Sequence, residues 1–187
     1  MARSALTGLL LVGGASRRFG SPKASAPFGE ETLAARAWRL LGEVCDERIA
    51  VGKSADGLAL PFALLDDGTP VRAPLAGLVA GVRAAAHDVC LCLPVDCPLM
   101  TADALRALAE ACADATVSPS GPLPGAYRKS ALPVLERRLA EGRLALRDAL
   151  SELDVSTVEL DGAVLGNANT VAELERMHGA WLETGRS

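Results

Sequence analysis

The sequence predicts an α/β domain with a mainly parallel central sheet. Short apolar segments of strand length alternate with longer segments of helical periodicity along the whole chain. The 187 residues are enough for one ordinary domain, 50% of them are hydrophobic, and no internal repeat or long linker divides them. We therefore expect a single domain over residues 1–187.

The first predicted strand, residues 9–12, runs into a glycine turn that is followed by cationic residues. Gly13 and Gly14 lack a Cβ, so a ligand can approach the backbone closely, and successive N–H groups in such a turn can bind an anion. Arg18 and Lys23 add positive charge nearby. The stretch has neither the P-loop pattern nor G-x-G-x-x-G. The residues alone therefore leave two interpretations, a polyphosphate-binding loop or a tight turn.

The later elements are predicted from apolar runs, turn residues and helix caps. Thr32 and Thr101 are good N-caps, and Thr170 with Glu173 forms a capping box. Segment 119–124, rich in glycine and proline, predicts a loop, followed by a strand end at 125–128. The predicted order is a hairpin near 27–30, a helix from 32, strands at 47–51 and 61–65, a helix from 74 to about 87, a strand at 89–95, a helix from 101 to about 113, a strand at 115–118, helices at 132–141 and 144–150, a strand at 155–160 and a helix from 170 to about 181.

Two aspartates follow predicted strands. Because ligands of open α/β sheets bind beyond the carboxyl ends of the strands, the glycine turn, Asp67 and Asp96 are expected at one sheet edge. Asp96 could hold Mg²⁺ while substrate phosphates fill other coordination positions. Its alternative role is a helix cap, for which Thr101 is better placed. Asp67 could also be an ordinary Asp-Gly turn residue.

Composition limits the class of protein. The formal net charge of −4 argues against broad binding to nucleic acid or anionic membranes. No long apolar run or signal-peptide pattern is present, so we expect a cytoplasmic protein. The 5 cysteines include no C-x-x-C pair and the 2 histidines are few, so the sequence indicates neither a zinc site nor a disulfide framework. Cys90 and Cys92 are expected to be buried thiols on one strand face.

Residues 11–23, LVGGASRRFGSPK, resemble the N-terminal signature of the MobA-like nucleotidyltransferases, roughly L-A-G-G-x-S-x-R-M-G-x-D-K. That family includes the molybdenum cofactor guanylyltransferases. Three further segments resemble family motifs in the same order: Asp66-Asp67 with APLAG at 73–77, Asp96 with Pro98, and NANT at 167–170. The positions at which the chain departs from the family pattern include Val12, Pro22, Gly52, Ala73 and Val171, where alanine, aspartate, asparagine, glycine and proline are usual.

The resemblance implies a Rossmann-like, three-layer fold of the nucleotide-diphospho-sugar transferase type. It implies Mg²⁺-dependent transfer of GMP from GTP to Mo-molybdopterin, with pyrophosphate released. Arg18, Lys23 and Asp96 would be catalytic, and Asp96 would hold the metal. Transient contacts with other cofactor-biosynthesis proteins or acceptor enzymes would follow. The residues implied to contact nucleotide or acceptor are Leu11, Val12, Gly13, Gly14, Lys23, Asp67, Gly77, Asp96, Asn167 and Asn169.

Several alternatives stay open at this point. Gly13-Gly14 favours the guanylyl branch, but a cytidylyltransferase or another small-molecule nucleotidyltransferase of the same fold fits the motifs, as does a non-catalytic nucleotide-binding domain. The amides of Asn167 and Asn169 suit a pterin edge, yet asparagine also commonly begins helices. Tyr127-Arg128 and Arg143 either line the second substrate's site or are solvated surface residues.

Overall fold

Helices and strands alternate along residues 5–13 and 22–183, which are the residues that the computed structural model describes. The strands are β1 (Leu6–Leu11), β2 (Pro27–Phe28), β3 (Glu31–Thr32), β4 (Glu47–Gly52), β5 (Leu64–Asp66), β6 (Val89–Pro94), β7 (Ala115–Ser118), β8 (Gly121–Arg128) and β9 (Val155–Thr157). The helices are α1 (Leu33–Gly42), α2 (Pro74–Ala84), α3 (Ala102–Glu110), α4 (Leu132–Ala140), α5 (Leu146–Ala149) and α6 (Val171–Glu183).

Within the described ranges, seven strands form one sheet in the order β5-β4-β1-β6-β8-β7-β9, while β2 and β3 form the predicted hairpin. The strands β5, β4, β1 and β6 are mutually parallel. Strand β8 runs antiparallel to both β6 and β7, and β9 is parallel to β7. The prediction of a mainly parallel sheet is confirmed. The carboxyl ends of β5, β4, β1 and β6 consequently lie side by side at one edge.

Alternating side chains of β1 face two separate apolar layers. Leu6 and Leu10 pack in the layer formed with α1, α3 and α6. Leu9 and Leu11 pack in the opposite layer with α2, α4 and α5. Both faces of the strand are buried, and burying one leucine side chain stabilises the fold by about 1.5–3 kcal/mol. The three-layer arrangement fixes β1 at the centre of the molecule.

Threonine caps begin two of the helices, as predicted. The Thr32 hydroxyl accepts a hydrogen bond from the Ala35 N–H at 3.1 Å, and the Thr101 hydroxyl accepts one from the Ala104 N–H at 3.3 Å. Each bond satisfies one N–H group that a helix start leaves unpaired. Thr101 rather than Asp96 therefore caps α3, which removes the capping role considered for Asp96.

The prediction of a loop at residues 119–124 is wrong, because β8 begins at Gly121. Gly121 pairs with Ser118, and regular pairing resumes only at Gly125. The prolines, Pro122 and Pro124, fall in the irregular part between these points, where no ladder hydrogen bond needs their missing N–H. The Leu123–Pro124 peptide bond is cis. Proline in an interior strand is tolerated here because pairing is interrupted.

The cysteines are part of the interior, as expected. Cys90, Cys92, Cys97 and Cys112 are buried thiols without disulfide bonds. Burial raises the pKa of the Cys90 thiol to about 12 and also raises the pKa of Cys92. No helix in the described part of the chain combines the length and apolar character needed to cross a bilayer.

Candidate functional site

A pocket of about 440 Å³ opens at the carboxyl edge of β5, β4, β1 and β6. This is the edge at which open α/β sheets bind ligands. Gly14 and Arg18, which the sequence also assigns to the site, lie outside the described residues. The predicted site residues that line the pocket are Leu11, Val12, Gly13, Lys23, Asp67, Gly77, Asp96 and Asn167.

Lys23, Asp96 and Asn167 line one end of the pocket, and Asn169 contacts Lys23 from outside the pocket lining. We call these four side chains the Lys23–Asp96 cluster. The Lys23 ammonium donates to Asp96 Oδ2 at 3.1 Å and to Asn169 Oδ1 at 3.0 Å. Asp96 follows β6, and its side chain is 26% exposed. A part-exposed carboxylate beside an ammonium group can bind a cation or orient a phosphate. The structure thus joins residues separated by more than half of the chain.

The segment before α6 is attached directly to the Asp96 loop. The Ala168 N–H donates to the Asp96 carbonyl at 3.0 Å, and the Cys97 thiol donates to Asn167 Oδ1 at 3.0 Å. Burial raises the pKa of Cys97, with the neighbouring Asp96 carboxylate adding to the effect, so the thiol keeps the proton it donates. The side-chain amide of Asn167 is therefore anchored to the Asp96 loop through Cys97, whereas that of Asn169 is held by Lys23.

The capping box at the start of α6 supports the same segment. Glu173 Oε2 accepts hydrogen bonds from the N–H groups of Asn169 at 2.7 Å and Thr170 at 3.1 Å, and the Thr170 hydroxyl accepts one from the Glu173 N–H at 3.2 Å. The bond from the Asn169 N–H is the main cause that lowers the pKa of Glu173, and the Thr170 N–H adds to it.

Glu173→Ala is expected to destabilise the protein at pH 7 and to have a smaller effect in acid. Because the folded-state pKa of Glu173 lies below its unfolded value, its contribution is present above the unfolded pKa and is lost as pH falls through the folded pKa. Urea unfolding of wild type and variant at pH 7 and at about pH 3.5 measures this difference. Glu175→Ala on the same helix is the control, and an equal effect of both variants would contradict the capping role.

The opposite end of the pocket carries a second charged pair, the Lys53–Asp67 cluster. Lys53 Nζ donates to Asp67 Oδ1 at 2.5 Å and to the Thr69 carbonyl. The two side chains are 10% and 6% exposed. Asp67 was predicted for the site, but Lys53 was not, although Lys53 follows β4 directly and Asp96 lies two residues after β6. A charged residue just after a central strand was the signal that could have identified it.

The two clusters lie on either side of β1. Lys53 and Asp67 follow β4 and β5, whereas Asp96 follows β6. Neighbouring strands are about 4.8 Å apart, so two to three strand spacings separate the clusters by about 10–14 Å. Apolar side chains of Val12, Val51 and Pro74 line the pocket between and beside the clusters.

Gly77 lies where α2 approaches β1 beside the pocket. It lines the pocket, and a Cβ at this position would lie 3.0 Å from Leu11 Cδ2. A side chain at residue 77 would therefore push against β1 and occupy space at the start of α2. The small residue lets the helix approach the strand and keeps the pocket open.

The basic and aromatic residues considered for a second substrate site are elsewhere. Tyr127 is fully buried and donates to the Pro122 carbonyl at 2.7 Å, so it neither lines a substrate site nor lies at the surface. Arg128 donates to the Cys112 carbonyl and to Asp88. Arg143 pairs with Glu141 and Glu152. For the arginines, the structure supports structural and surface roles rather than a place in this pocket.

Comparison with known sequences identifies the family. The sequence profile of the MobA-like NTP transferase domain matches residues 8–157. The chain belongs to this family. The matched range begins within β1 and ends with β9. It includes both clusters except Asn167 and Asn169, which lie beyond it.

Individual relatives agree with this assignment. A protein named molybdenum cofactor guanylyltransferase from Desulfosudis oleivorans is 30% identical over 199 residues, covering 97% of this chain and 98% of that protein. The crystal structure of molybdopterin-guanine dinucleotide biosynthesis protein A from Archaeoglobus fulgidus superposes with a TM-score of 0.81 at 22% identity, covering 95% of this chain and 99% of the other. The 2-C-methyl-D-erythritol 4-phosphate cytidylyltransferase of Thermus thermophilus has a TM-score of 0.71 at 17% identity, covering 96% and 98%. The predicted α/β nucleotidyltransferase fold is confirmed.

Proposed function

We propose that this MobA-like nucleotidyltransferase is a molybdenum cofactor guanylyltransferase, which transfers GMP from GTP to Mo-molybdopterin and releases pyrophosphate. The observation that carries the proposal is the pocket with a charged cluster at each end, at the sheet edge beyond which open α/β folds bind their ligands. The near-complete alignment with a relative named for this activity supports the choice of substrates.

In this proposal the triphosphate lies at the Lys23–Asp96 cluster. The Lys23 ammonium gives up part of its contact with Asp96 and neutralises the charge on phosphate oxygens. Arg18 adds a second cation. A terminal phosphate oxygen of the acceptor attacks the α-phosphorus of GTP in line, and the bond from the α-phosphorus to the bridging oxygen breaks, so pyrophosphate departs. The chain supplies positioning and charge neutralisation, which are sufficient for such a transfer.

The base lies at the Lys53–Asp67 cluster in this arrangement. Gly77 and Pro74 at the start of α2 leave space for a flat ring. The acceptor approaches from the side of Asn167 and Asn169, whose amides can donate and accept hydrogen bonds with a pterin edge. Both asparagines are held by contacts to the reacting end of the pocket, so acceptor and triphosphate meet at Asp96.

The donor set fits a substrate-dependent Mg²⁺ site. The described residues contain no group of three or more His, Cys, Asp or Glu side chains suited to hold a metal. Mg²⁺ in phosphoryl-transfer sites usually takes one or two carboxylates and completes its shell with water and substrate phosphates, and Asp96 offers one carboxylate beside the proposed phosphate position. We propose that Asp96 would hold Mg²⁺, which would supply charge neutralisation of the phosphates.

Tight binding of Mg²⁺ is therefore expected only when nucleotide is present. Titration of the free protein with Mg²⁺, followed by calorimetry, should show weak binding, because a single carboxylate leaves most of the coordination shell to water. The same titration with GTP bound should show tighter binding, and EDTA should stop turnover. Equally tight binding without nucleotide would contradict a site completed by substrate.

Pyrophosphate release from GTP, CTP, ATP and UTP, each with Mg²⁺ and molybdopterin cofactor, tests the proposed function. We expect turnover with GTP alone. Turnover with CTP instead of GTP would agree with the fold and the proposed chemistry but would assign the protein to cytidylyl transfer. GTP binding without turnover would contradict the molybdopterin assignment and favour a nucleotide-binding module.

A further inference from the structure

Lys53 is a buried cation in the wall of the pocket. The residue is 8% exposed, and its ammonium group donates to Asp67 Oδ1 at 2.5 Å and to the Thr69 carbonyl. A long cationic side chain is seldom buried without a partner. Here the partners belong to the turn after β5, so Lys53 connects the end of β4 to that turn.

Fold stability alone does not account for this pair. A buried ion pair commonly contributes no more to stability than apolar residues of similar volume, because removing both charges from water is costly. The surrounding wall is otherwise rich in apolar side chains, among them Val51, Val71 and Leu123. An apolar residue at position 53 would pack this wall without burying a charge. The presence of an ammonium group therefore indicates a role in the pocket rather than in packing.

Gly52 explains why residue 53 carries that function. A Cβ at Gly52 would lie 2.8 Å from Val12 Cγ2, a distance that real structures do not tolerate. With valine at position 12, the last residue of β4 has no room for a side chain. Lys53 is then the first residue after the strand that can present a polar group to the pocket, and it lines the pocket next to Gly52.

The turn that Lys53 holds continues directly into the pocket wall. Asp67 Oδ1 also accepts the Thr69 N–H at 3.2 Å, and the Thr69 hydroxyl accepts the Val71 N–H at 3.2 Å. Val71, Arg72 and Ala73 then line the pocket before α2 begins. Lys53 therefore fixes both the Asp67 carboxylate and the chain that forms one side of the cavity.

We propose that Lys53 is a positioning residue for the base end of the nucleotide, acting by holding Asp67 and the 67–73 turn in their binding conformation. This inference rests on the proposed nucleotide binding. It assigns Lys53 no contact with the triphosphate, because Lys53 follows β4 and Asp96 follows β6, two strand spacings or about 10 Å away across β1.

Binding of GTP and of inorganic tripolyphosphate to Lys53→Met tests the inference. We expect the Kd for GTP to rise about 10- to 100-fold, by analogy with the loss found when a residue that orients a metal ligand is removed. We expect the Kd for tripolyphosphate to change by less than about threefold, since the phosphate end is intact. Under saturating GTP, kcat should be retained to within a few-fold while KM for GTP rises. A general disturbance of the fold would lower the affinity for GTP and for tripolyphosphate together.

Controls keep the test decisive. Lys129→Met makes the same substitution beside the amino end of β6, where the Lys129 N–H donates to the Asp88 carbonyl, and should bind both ligands like wild type. If Lys53→Met fails to fold because Asp67 is left as an unpaired buried charge, Lys53→Met with Asp67→Asn removes both charges. Because Asp67 is itself assigned to the nucleotide, this double variant is compared with Asp67→Asn alone, and it should bind GTP more weakly than that single variant while keeping tripolyphosphate affinity.

The outcomes separate this inference from the proposed function. Wild-type affinity for GTP in Lys53→Met, or the same GTP affinity in the double variant as in Asp67→Asn alone, overturns the role of Lys53 and leaves the proposed function intact. Equal losses for GTP and tripolyphosphate also overturn it, since Lys53 would then serve the phosphates. If the wild-type protein binds neither ligand, nucleotide binding itself fails and the inference fails with it.

Discussion

Asp96→Asn is expected to lower kcat by about 10³-fold, the upper range for removal of one preorganised group that stabilises developing charge. Asp96 lies at the carboxyl end of β6, bonded through Oδ2 to Lys23, and its carbonyl accepts the Ala168 N–H. Asparagine keeps the shape and the backbone contact. It removes the negative charge that holds Lys23 and that would hold Mg²⁺, so the loss should appear in kcat more than in KM for GTP.

Asp88→Asn provides a matched control on the same strand. Asp88 precedes β6 at its amino end, and its carboxylate pairs with Arg128, far from the pocket. Pyrophosphate release should stay within about twofold of wild type, as is usual for surface substitutions. If Asp96→Asn retains more than about a tenth of wild-type kcat, the reaction does not depend on this carboxylate and the proposed reaction centre is wrong.

Lys23→Met is expected to lower kcat/KM for GTP by about 10²- to 10³-fold. The ammonium group joins Asp96 and Asn169, so its removal takes away a positive charge at the proposed triphosphate position and one support of the acceptor side. The effect should fall on both kcat and KM, in contrast to Asp96→Asn. Tripolyphosphate affinity should fall as well, since the charge serves phosphates.

The control for Lys23 is again Lys129→Met, which removes the same type of side chain outside the pocket and should leave kcat/KM unchanged. Steady-state measurements over a range of GTP concentrations give both parameters. Wild-type tripolyphosphate affinity in Lys23→Met would contradict the placement of the phosphates at the Lys23–Asp96 cluster.

The sequence predicted the centre of the fold well because its signals there are local and mutually consistent. The apolar runs of β1 and β6 are buried on both faces, which produces uninterrupted hydrophobic segments. Thr32 and Thr101 cap their helices through side chains that only those positions favour. Asp67 and Asp96 could be assigned to one edge because parallel strands align their carboxyl ends.

The sequence could not predict features that depend on distant partners. Strand β8 contains Pro122 and Pro124 in an interrupted stretch of pairing, so its strand character depends on β6 and β7 rather than on propensity. In the sequence, Lys53 is indistinguishable from an ordinary loop residue, because its partners, Asp67 and the Thr69 carbonyl, are 14 and 16 residues away along the chain. Nothing local indicates that Val12 excludes a side chain at Gly52. These contacts exist only after the sheet has formed.

The most direct test of the central claim follows the α-phosphorus of GTP. The protein is incubated with Mo-molybdopterin, Mg²⁺ and GTP that carries a radiolabel at the α-phosphorus or, in a parallel reaction, at the γ-phosphorus. The account predicts that the α-label moves into a molybdopterin-containing dinucleotide and the γ-label into pyrophosphate, with both transfers lost in Asp96→Asn. An α-label that never joins the pterin, while GTP binds normally, would contradict guanylyl transfer to molybdopterin.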